Sequence, residues 1–171
     1  MPSSLHDFCL WVEKTNLSMF VKTNEWVVPT LQTIHILCVA IIMSSIVMIT
    51  LRIVGLIGKD ESVQAFAARF LPWIWYTIPA LAIGGLLQIS AEPERSLMNK
   101  IFQLKMVLLV AAMGGTIFLG RKISASAAAA AGDAVAPAVN QVQVRLIGVA
   151  VFVLWIAIIV AGRWIAYAVG L

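Results

Sequence analysis

The stretch WVVPTLQTIHILCVAIIMSSIVMITL at residues 26–51 decides the fold of this chain. It contains no Asp, Glu, Lys or Arg, and it is longer than the ~20 residues with which an apolar helix crosses a bilayer. Three more apolar stretches follow at residues 71–90, 97–119 and 144–171. None of the stretches alternates between polar and apolar residues as a strand does. Lipid offers no hydrogen bonds to the backbone, and a helix satisfies its own backbone groups, so each stretch predicts a transmembrane helix.

The composition indicates a membrane protein. Of the 171 residues, 61% are hydrophobic and 12% are charged, which is more apolar surface than a soluble domain of this length buries. The net charge is +4, but the Lys and Arg residues are scattered, so nucleic acid is not a predicted partner. We therefore expect an all-α, integral membrane four-helix bundle that forms one transmembrane domain over residues 1–171, with the lipid bilayer as its partner.

The remaining segments predict turns, a loop and one short helix. Residues 58–61 and 91–95 are polar turns, and the Ala-rich residues 124–143, with Gly132 and Pro137, predict a loop. Residues 4–14 carry apolar side chains at helical spacing. They predict a short helix in the membrane interface, with a frayed polar terminus as the alternative.

The distribution of basic residues predicts the orientation. Loops one and three are flanked by six of them: Arg52, Lys59, Arg69, Arg121, Lys122 and Arg145. The other side has four: Lys14, Lys22, Arg95 and Lys100. By the positive-inside rule, loops one and three are expected in the cytoplasm and both termini in the periplasm of a bacterial inner membrane.

Three ionisable side chains lie deep within the apolar stretches: His35, Lys105 and Arg163. Each is about eight residues, or roughly 12 Å, from a helix end. Since successive helices alternate in direction, all three ends lie on the N-terminal side, where Gln32 and Gln88 also lie. Such groups are costly in lipid unless they face the bundle or a partner, so a polar site is predicted in this half of the bundle.

The residue types in this predicted site suit haem b. Neutral imidazole is the usual protein ligand of haem iron, and buried propionates need cations. We expect His35 to ligate the iron, with Lys105, Arg163, Gln32 and Gln88 around the cofactor. Two alternatives need no cofactor. In the first, Lys105 and Arg163 reach the lipid headgroups, with Arg163 beside the interfacial residues Trp164 and Tyr167. In the second, His35 forms an interhelical hydrogen bond to Gln88.

Other chemistries have weaker sequence support. Copper could use His35, Cys38 and either Met43 or Met106, but the methionines form no Met-x-x-Met cluster. No Cys-x-x-Cys-His motif indicates covalent haem attachment. A proton or ion transporter usually has a buried carboxylate, and the four stretches contain no Asp or Glu. Hydrolase and phosphate-loop motifs are also missing from the sequence.

Residues 29–37, Pro-Thr-Leu-Gln-Thr-Ile-His-Ile-Leu, and residues 51–56, Leu-Arg-Ile-Val-Gly-Leu, carry a resemblance to an uncharacterised group of four-helix bacterial inner-membrane proteins. That group is similar to the copper-resistance D type, the membrane protoporphyrinogen oxidase and b-type cytochromes. The resemblance implies a functional histidine in the first helix, which is His35 here. In the oxidase-like members such a histidine is paired with a lysine in a later helix, which His35 and Lys105 match.

The chain departs from the b-type cytochromes in one respect. Those proteins usually ligate each haem with two histidines from helices, and here His35 is the one histidine within the four stretches. A second ligand to the haem iron would be His6, Met106 or a residue of another subunit. Otherwise the second position on the iron would be open for ligand or substrate chemistry.

Three hypotheses follow from the sequence. The first is a haem b protein that passes electrons between quinone and a periplasmic redox partner. The second is an enzyme of porphyrin metabolism that uses His35 and Lys105. The third is a non-catalytic membrane subunit, and a homo-oligomer is compatible with the small residues Gly114, Gly115, Ala161 and Gly162.

Overall fold

The computed structural model describes residues 3–130, 140–165 and 167, and this part of the chain consists of α-helices without a strand. In chain order the helices are α1 (Ser3–Glu13), α2 (Asn16–Thr23), α3 (Val27–Val54), α4 (Val63–Ala91), α5 (Pro93–Leu97), α6 (Lys100–Ala130) and α7 (Gln141–Trp164). Helices α3, α4, α6 and α7 are long and apolar enough to cross a membrane. The expected all-α fold with four membrane-crossing helices is confirmed.

Local sequence sets where these helices begin and end. The side chain of Ser62 accepts a hydrogen bond from the backbone N–H of Ala65 and so caps α4, and Asn140 caps α7 in the same way. Helix α3 ends at Gly55, whose φ of 89° is the left-handed conformation that glycine adopts without a Cβ clash.

Two helices extend at one end by seven or more residues beyond the stretches predicted from the sequence. Helix α4 begins at Val63 rather than at residue 71, because its first turns bury Phe66 and Ala67 against the bundle. Helix α6 continues to Ala130, so the loop prediction is wrong for residues 124–130, where alanine, the best helix former, extends the helix. Residues 131–139 of the predicted loop lie outside the described residues. So do residues 166 and 168–171 of the fourth stretch, and the described part of α7 ends at Trp164.

The bundle consists of two helical hairpins. Helix α3 packs against α4, helix α6 packs against α7, and contacts between α3 and α7 join the hairpins. Small residues allow close approach: a Cβ on Gly115 would lie 2.9 Å from Val151 Cγ2, and one on Gly148 would lie 3.2 Å from Ile53 Cδ1. Successive long helices run in opposite directions, so the starts of α3 and α6 lie at the same end of the molecule as the ends of α4 and α7. We call it the N-terminal end.

One hydrogen bond joins α6 and α7 within the core. The indole N–H of Trp155 donates to Thr116 Oγ1 at 3.3 Å, and both side chains are buried. Thr116→Val preserves the shape of the side chain and leaves the indole N–H without this acceptor. We expect the free energy of unfolding, measured by denaturant titration in micelles, to fall by about 1 kcal/mol.

The matched control for this variant is Thr77→Val. Thr77 is also buried, but its hydroxyl donates to the backbone of Trp73 in its own helix. An equal loss of stability in both variants would contradict a contribution from the bond between α6 and α7.

The short helices cover the N-terminal end of the bundle. Helix α1 packs against α5, and α2 packs against α4. His6 Nδ1 lies 3.5 Å from Glu94 Oε1, which links α1 to α5. Cys9 is buried between them, and burial, together with the carboxylates of Glu94 and Glu13, raises the pKa of its thiol. The outward face of α1 and α2 is apolar, with Trp11 65% exposed, as expected of helices that lie in a membrane interface.

Candidate functional site

His35 lies eight residues after the start of α3, as predicted, and its imidazole packs against α4. The ring atom Cε1 lies 3.8 Å from the position that a Cβ on Gly85 would occupy. The glycine therefore leaves room for the ring between the two helices. The Nδ1 atom of His35 is buried, and it has no hydrogen-bond partner within the described part of the chain. A buried imidazole nitrogen without a partner is costly, which marks it as a position where a ligand would be favourable.

Lys105 lies on α6 and extends along α7. Its Nζ is 3.4 Å, and its Cε 3.6 Å, from the position that a Cβ on Gly162 would occupy. The half-buried ammonium group is close enough to His35 for the two side chains to interact electrostatically.

Gln88 adds a hydrogen-bond donor on α4, one turn after Gly84 and Gly85. Its Nε2 atom is buried and, among residues 3–130, 140–165 and 167, has no hydrogen-bond partner. Gly84 is buried, yet no atom of the residues that the structure describes lies within 4 Å of the position that its Cβ would occupy. The α4 backbone near His35 and Gln88 thus borders open space and an unpaired amide donor.

Arg163 and Gln32 have different surroundings from those expected. Arg163 is exposed, its Nη2 lies 3.4 Å from Tyr167 Oη, and its guanidinium carbon lies 5.7 Å from the centre of the Tyr167 ring. These contacts agree with the alternative in which Arg163 reaches toward the headgroups, and Arg163 lies close to the end of the described part of α7. Gln32 is also exposed. Its assignment to a cofactor, like that of Arg163, remains a prediction without a contact to support it.

The other candidate ligands are dispersed. His6 contacts Glu94, Met106 and Met43 are half-buried, and Cys38 is buried one turn from His35 on α3. Within the described ranges, no group of three or more His, Cys, Asp and Glu side chains could hold a metal ion. The assignments of these residues to haem or copper therefore stay predictions.

Sequence reasoning missed the role of Gly162. Ala161 and Gly162 were considered only as small residues that permit self-association, and the structure shows in addition that Gly162 makes room for the Lys105 side chain. The available signal was depth, because Gly162 lies nine residues before the end of the predicted stretch 144–171 and Lys105 lies eight residues after the start of 97–119. A small residue level with a buried cation on a neighbouring helix is a usable indication of such a contact.

Together, these residues form the candidate site near the N-terminal end of the bundle, which is composed of His35, Gly85, Gln88, Lys105 and Gly162. It combines an imidazole that can ligate a metal, an ammonium group and an amide donor. The latter two can bind an anionic group such as a carboxylate.

Comparison with known proteins adds a family. No curated protein and no solved structure matches the chain. A family model matches residues 8–168, nearly the whole sequence, and spans all the helices that form the site. The chain belongs to the family of unknown function DUF6644.

Proposed function

We propose that this chain binds haem b at the site near the N-terminal end of the bundle and passes electrons within the membrane. The observation that carries the proposal is the buried Nδ1 atom of His35, which has no hydrogen-bond partner among the described residues, together with the half-buried ammonium group of Lys105, whose charge acts on His35. An imidazole ligand and a cation for a propionate are the two groups that a buried haem needs.

Four residues of the site would have roles in binding the haem. Haem iron would supply a reversible one-electron change. His35 would donate its ring-nitrogen lone pair to the iron. Gly85, which has no side chain, would leave room for the ring between α3 and α4. The donors of Lys105 and Gln88 would bind a propionate, which would give both groups the partner that burial demands.

The resemblance noted above supports this proposal. The uncharacterised group that the sequence resembles looks in turn like a wider set of small membrane proteins that includes b-type cytochromes, in which an early histidine in the first helix is characteristic. The electron donor or acceptor would be quinone or a periplasmic redox protein, since six basic residues flank loops one and three and four flank the other side, which favours a periplasmic position for the end that holds the site. In this orientation the protein resides in a bacterial inner membrane with its termini in the periplasm.

The test is an optical spectrum of the protein purified in detergent from cells supplied with a haem precursor. A Soret band, together with an α band that appears on reduction with dithionite, would support the proposal. Extraction of the pigment as a pyridine complex identifies haem b and gives its ratio to protein. A colourless preparation that also fails to bind added haemin would contradict the proposal.

Lys105→Met tests the role assigned to the cation. We expect haem affinity to fall by about tenfold, because supporting residues around metal sites typically contribute 10- to 100-fold, and we expect Lys105→Arg to retain most of it. Haemin titration followed at the Soret band gives the affinity. Lys100→Met, which removes an exposed lysine at the start of the same helix, is the matched control, and an equal loss there would contradict a local role for Lys105.

A second candidate function is a porphyrinogen oxidase-like activity. The observation that favours it is the proximity of Lys105 to His35, since the oxidase-like proteins in the resembled group pair a histidine with a lysine from a later helix. In this case Lys105 and Gln88 would bind substrate carboxylates, and the electrons removed from the porphyrinogen would pass to a quinone. The appearance of porphyrin fluorescence, dependent on the protein and on added quinone and lost in Lys105→Met, distinguishes this function from electron transfer alone.

A further inference from the structure

A cleft of about 360 Å³ opens between α6 and α7 at the end of the bundle opposite the haem-binding site proposed above. It is lined by Phe118 and Lys122 of α6 and by Gln143, Leu146 and Ile147 of α7. Leu146 is 65% and Phe118 is 49% exposed. In a bilayer this exposed apolar surface contacts lipid.

The lining of the cleft changes from polar to apolar along the bundle axis. On α6, Phe118 lies one turn deeper in the bundle than Lys122, and on α7, Leu146 and Ile147 lie one turn deeper than Gln143. Both helices therefore place their polar side chain toward the end of the bundle and their apolar side chains toward its middle. This is the order of headgroup and acyl chain in a phospholipid.

The charge around the polar end of the cleft is positive. Lys122 Nζ lies 5.4 Å from the centre of the Phe118 ring, so the ammonium group is held over the cleft wall. Arg121 and Arg145 are exposed on the same end of the two helices. Between residues 120 and 150 the sequence contains one carboxylate, Asp133, which lies outside the described residues. An anionic headgroup complements this charge, whereas a zwitterionic one offers no net charge.

We propose that this cleft is a binding site for an anionic glycerophospholipid, with the phosphate at Lys122 and Gln143 and an acyl chain along Phe118, Leu146 and Ile147. Basic pockets between transmembrane helices are a recurrent form of anionic lipid recognition. The proposal does not depend on haem, because the cleft and the haem-binding site are at opposite ends of the bundle.

The test uses the full-length protein in detergent micelles. Native mass spectrometry counts the lipids bound when phosphatidylglycerol or phosphatidylcholine with the same acyl chains is added. We expect the wild-type protein to prefer phosphatidylglycerol, and we expect Lys122→Gln to reduce this preference about fivefold, the contribution typical of one basic residue near a membrane surface. Lys122→Arg should retain it.

Lys59→Gln is the matched control, since Lys59 is an exposed lysine at the same end of the bundle but does not line the cleft. It should bind both lipids as the wild type does. Equal binding of the two lipids by the wild type, or an equal loss of preference in Lys59→Gln and Lys122→Gln, would overturn the proposal. Displacement of the lipid by millimolar inorganic phosphate would also overturn it, because the site would then recognise a free anion.

Discussion

If haem b binds at the proposed site, replacement of His35 by alanine is expected to leave the purified protein without it. His35 is the one histidine in the membrane-crossing helices, so its loss leaves the site without an imidazole. Substitution of a residue that only supports a metal ligand costs roughly 10- to 100-fold in affinity, and loss of the ligand itself should cost at least about 100-fold. The ratio of the Soret absorbance to the protein absorbance measures this loss directly.

His6→Ala is the matched control for this prediction. The two histidines of the chain differ in place: His35 packs against Gly85 inside the bundle, whereas His6 contacts Glu94 at its surface. We expect His6→Ala to keep its haem. Full haem occupancy in His35→Ala would contradict the assignment of the ligand, and loss of haem in both variants would indicate that His6 is the second axial ligand. Addition of free imidazole to His35→Ala should restore part of the Soret band if the pocket is intact.

The second large effect is expected from Gly115→Val at the contact of α6 with α7. A Cβ on Gly115 would lie 2.9 Å from Val151 Cγ2, and Val151 is buried and β-branched, so it has little freedom to move. Overpacking of this kind costs about 1–3 kcal/mol, which exceeds the few tenths that valine gains over glycine in helix propensity. Since α6 depends mainly on α7 for its contacts, we expect a cost of about 2–3 kcal/mol.

Gly114→Val provides the control at the next position in the same helix. In the described part of the chain, no atom lies within 4 Å of the position of a Cβ on Gly114, and the residue is exposed. We expect this variant to be neutral or slightly stabilising in the same denaturant titration. If the two substitutions had the same effect on unfolding, tight packing of α6 against α7 at Gly115 would be refuted.

Much of the fold was predictable because its causes are local. A run of apolar residues such as 26–51 specifies a membrane-crossing helix whatever surrounds it. The boundaries were less accurate where tertiary contacts or intrinsic propensity decide them. Phe66 and Ala67 extend α4 by packing against the bundle, and alanines continue α6 through the predicted loop as far as Ala130.

The site was predictable in part, and the reason is rotation about the helix axis. Depth follows from counting residues, and it placed His35, Lys105 and Arg163 in one half of the bundle. Which face each side chain occupies depends on how the helices pack, which a single sequence does not specify. Lys105 faces Gly162 inside the bundle, whereas Arg163, the next residue after Gly162, faces Tyr167 on the surface.

The origin of the site residues has a consequence for assembly. His35 and Gly85 come from the first helical hairpin, whereas Lys105 and Gly162 come from the second. A molecule bound at this site would contact both helical hairpins, so its binding energy would add to the energy that keeps the two hairpins associated. Protein with the ligand bound should therefore resist separation of the two hairpins in harsh detergent better than protein without it. The supply of the ligand during biosynthesis would also influence how much of the chain folds into the complete bundle.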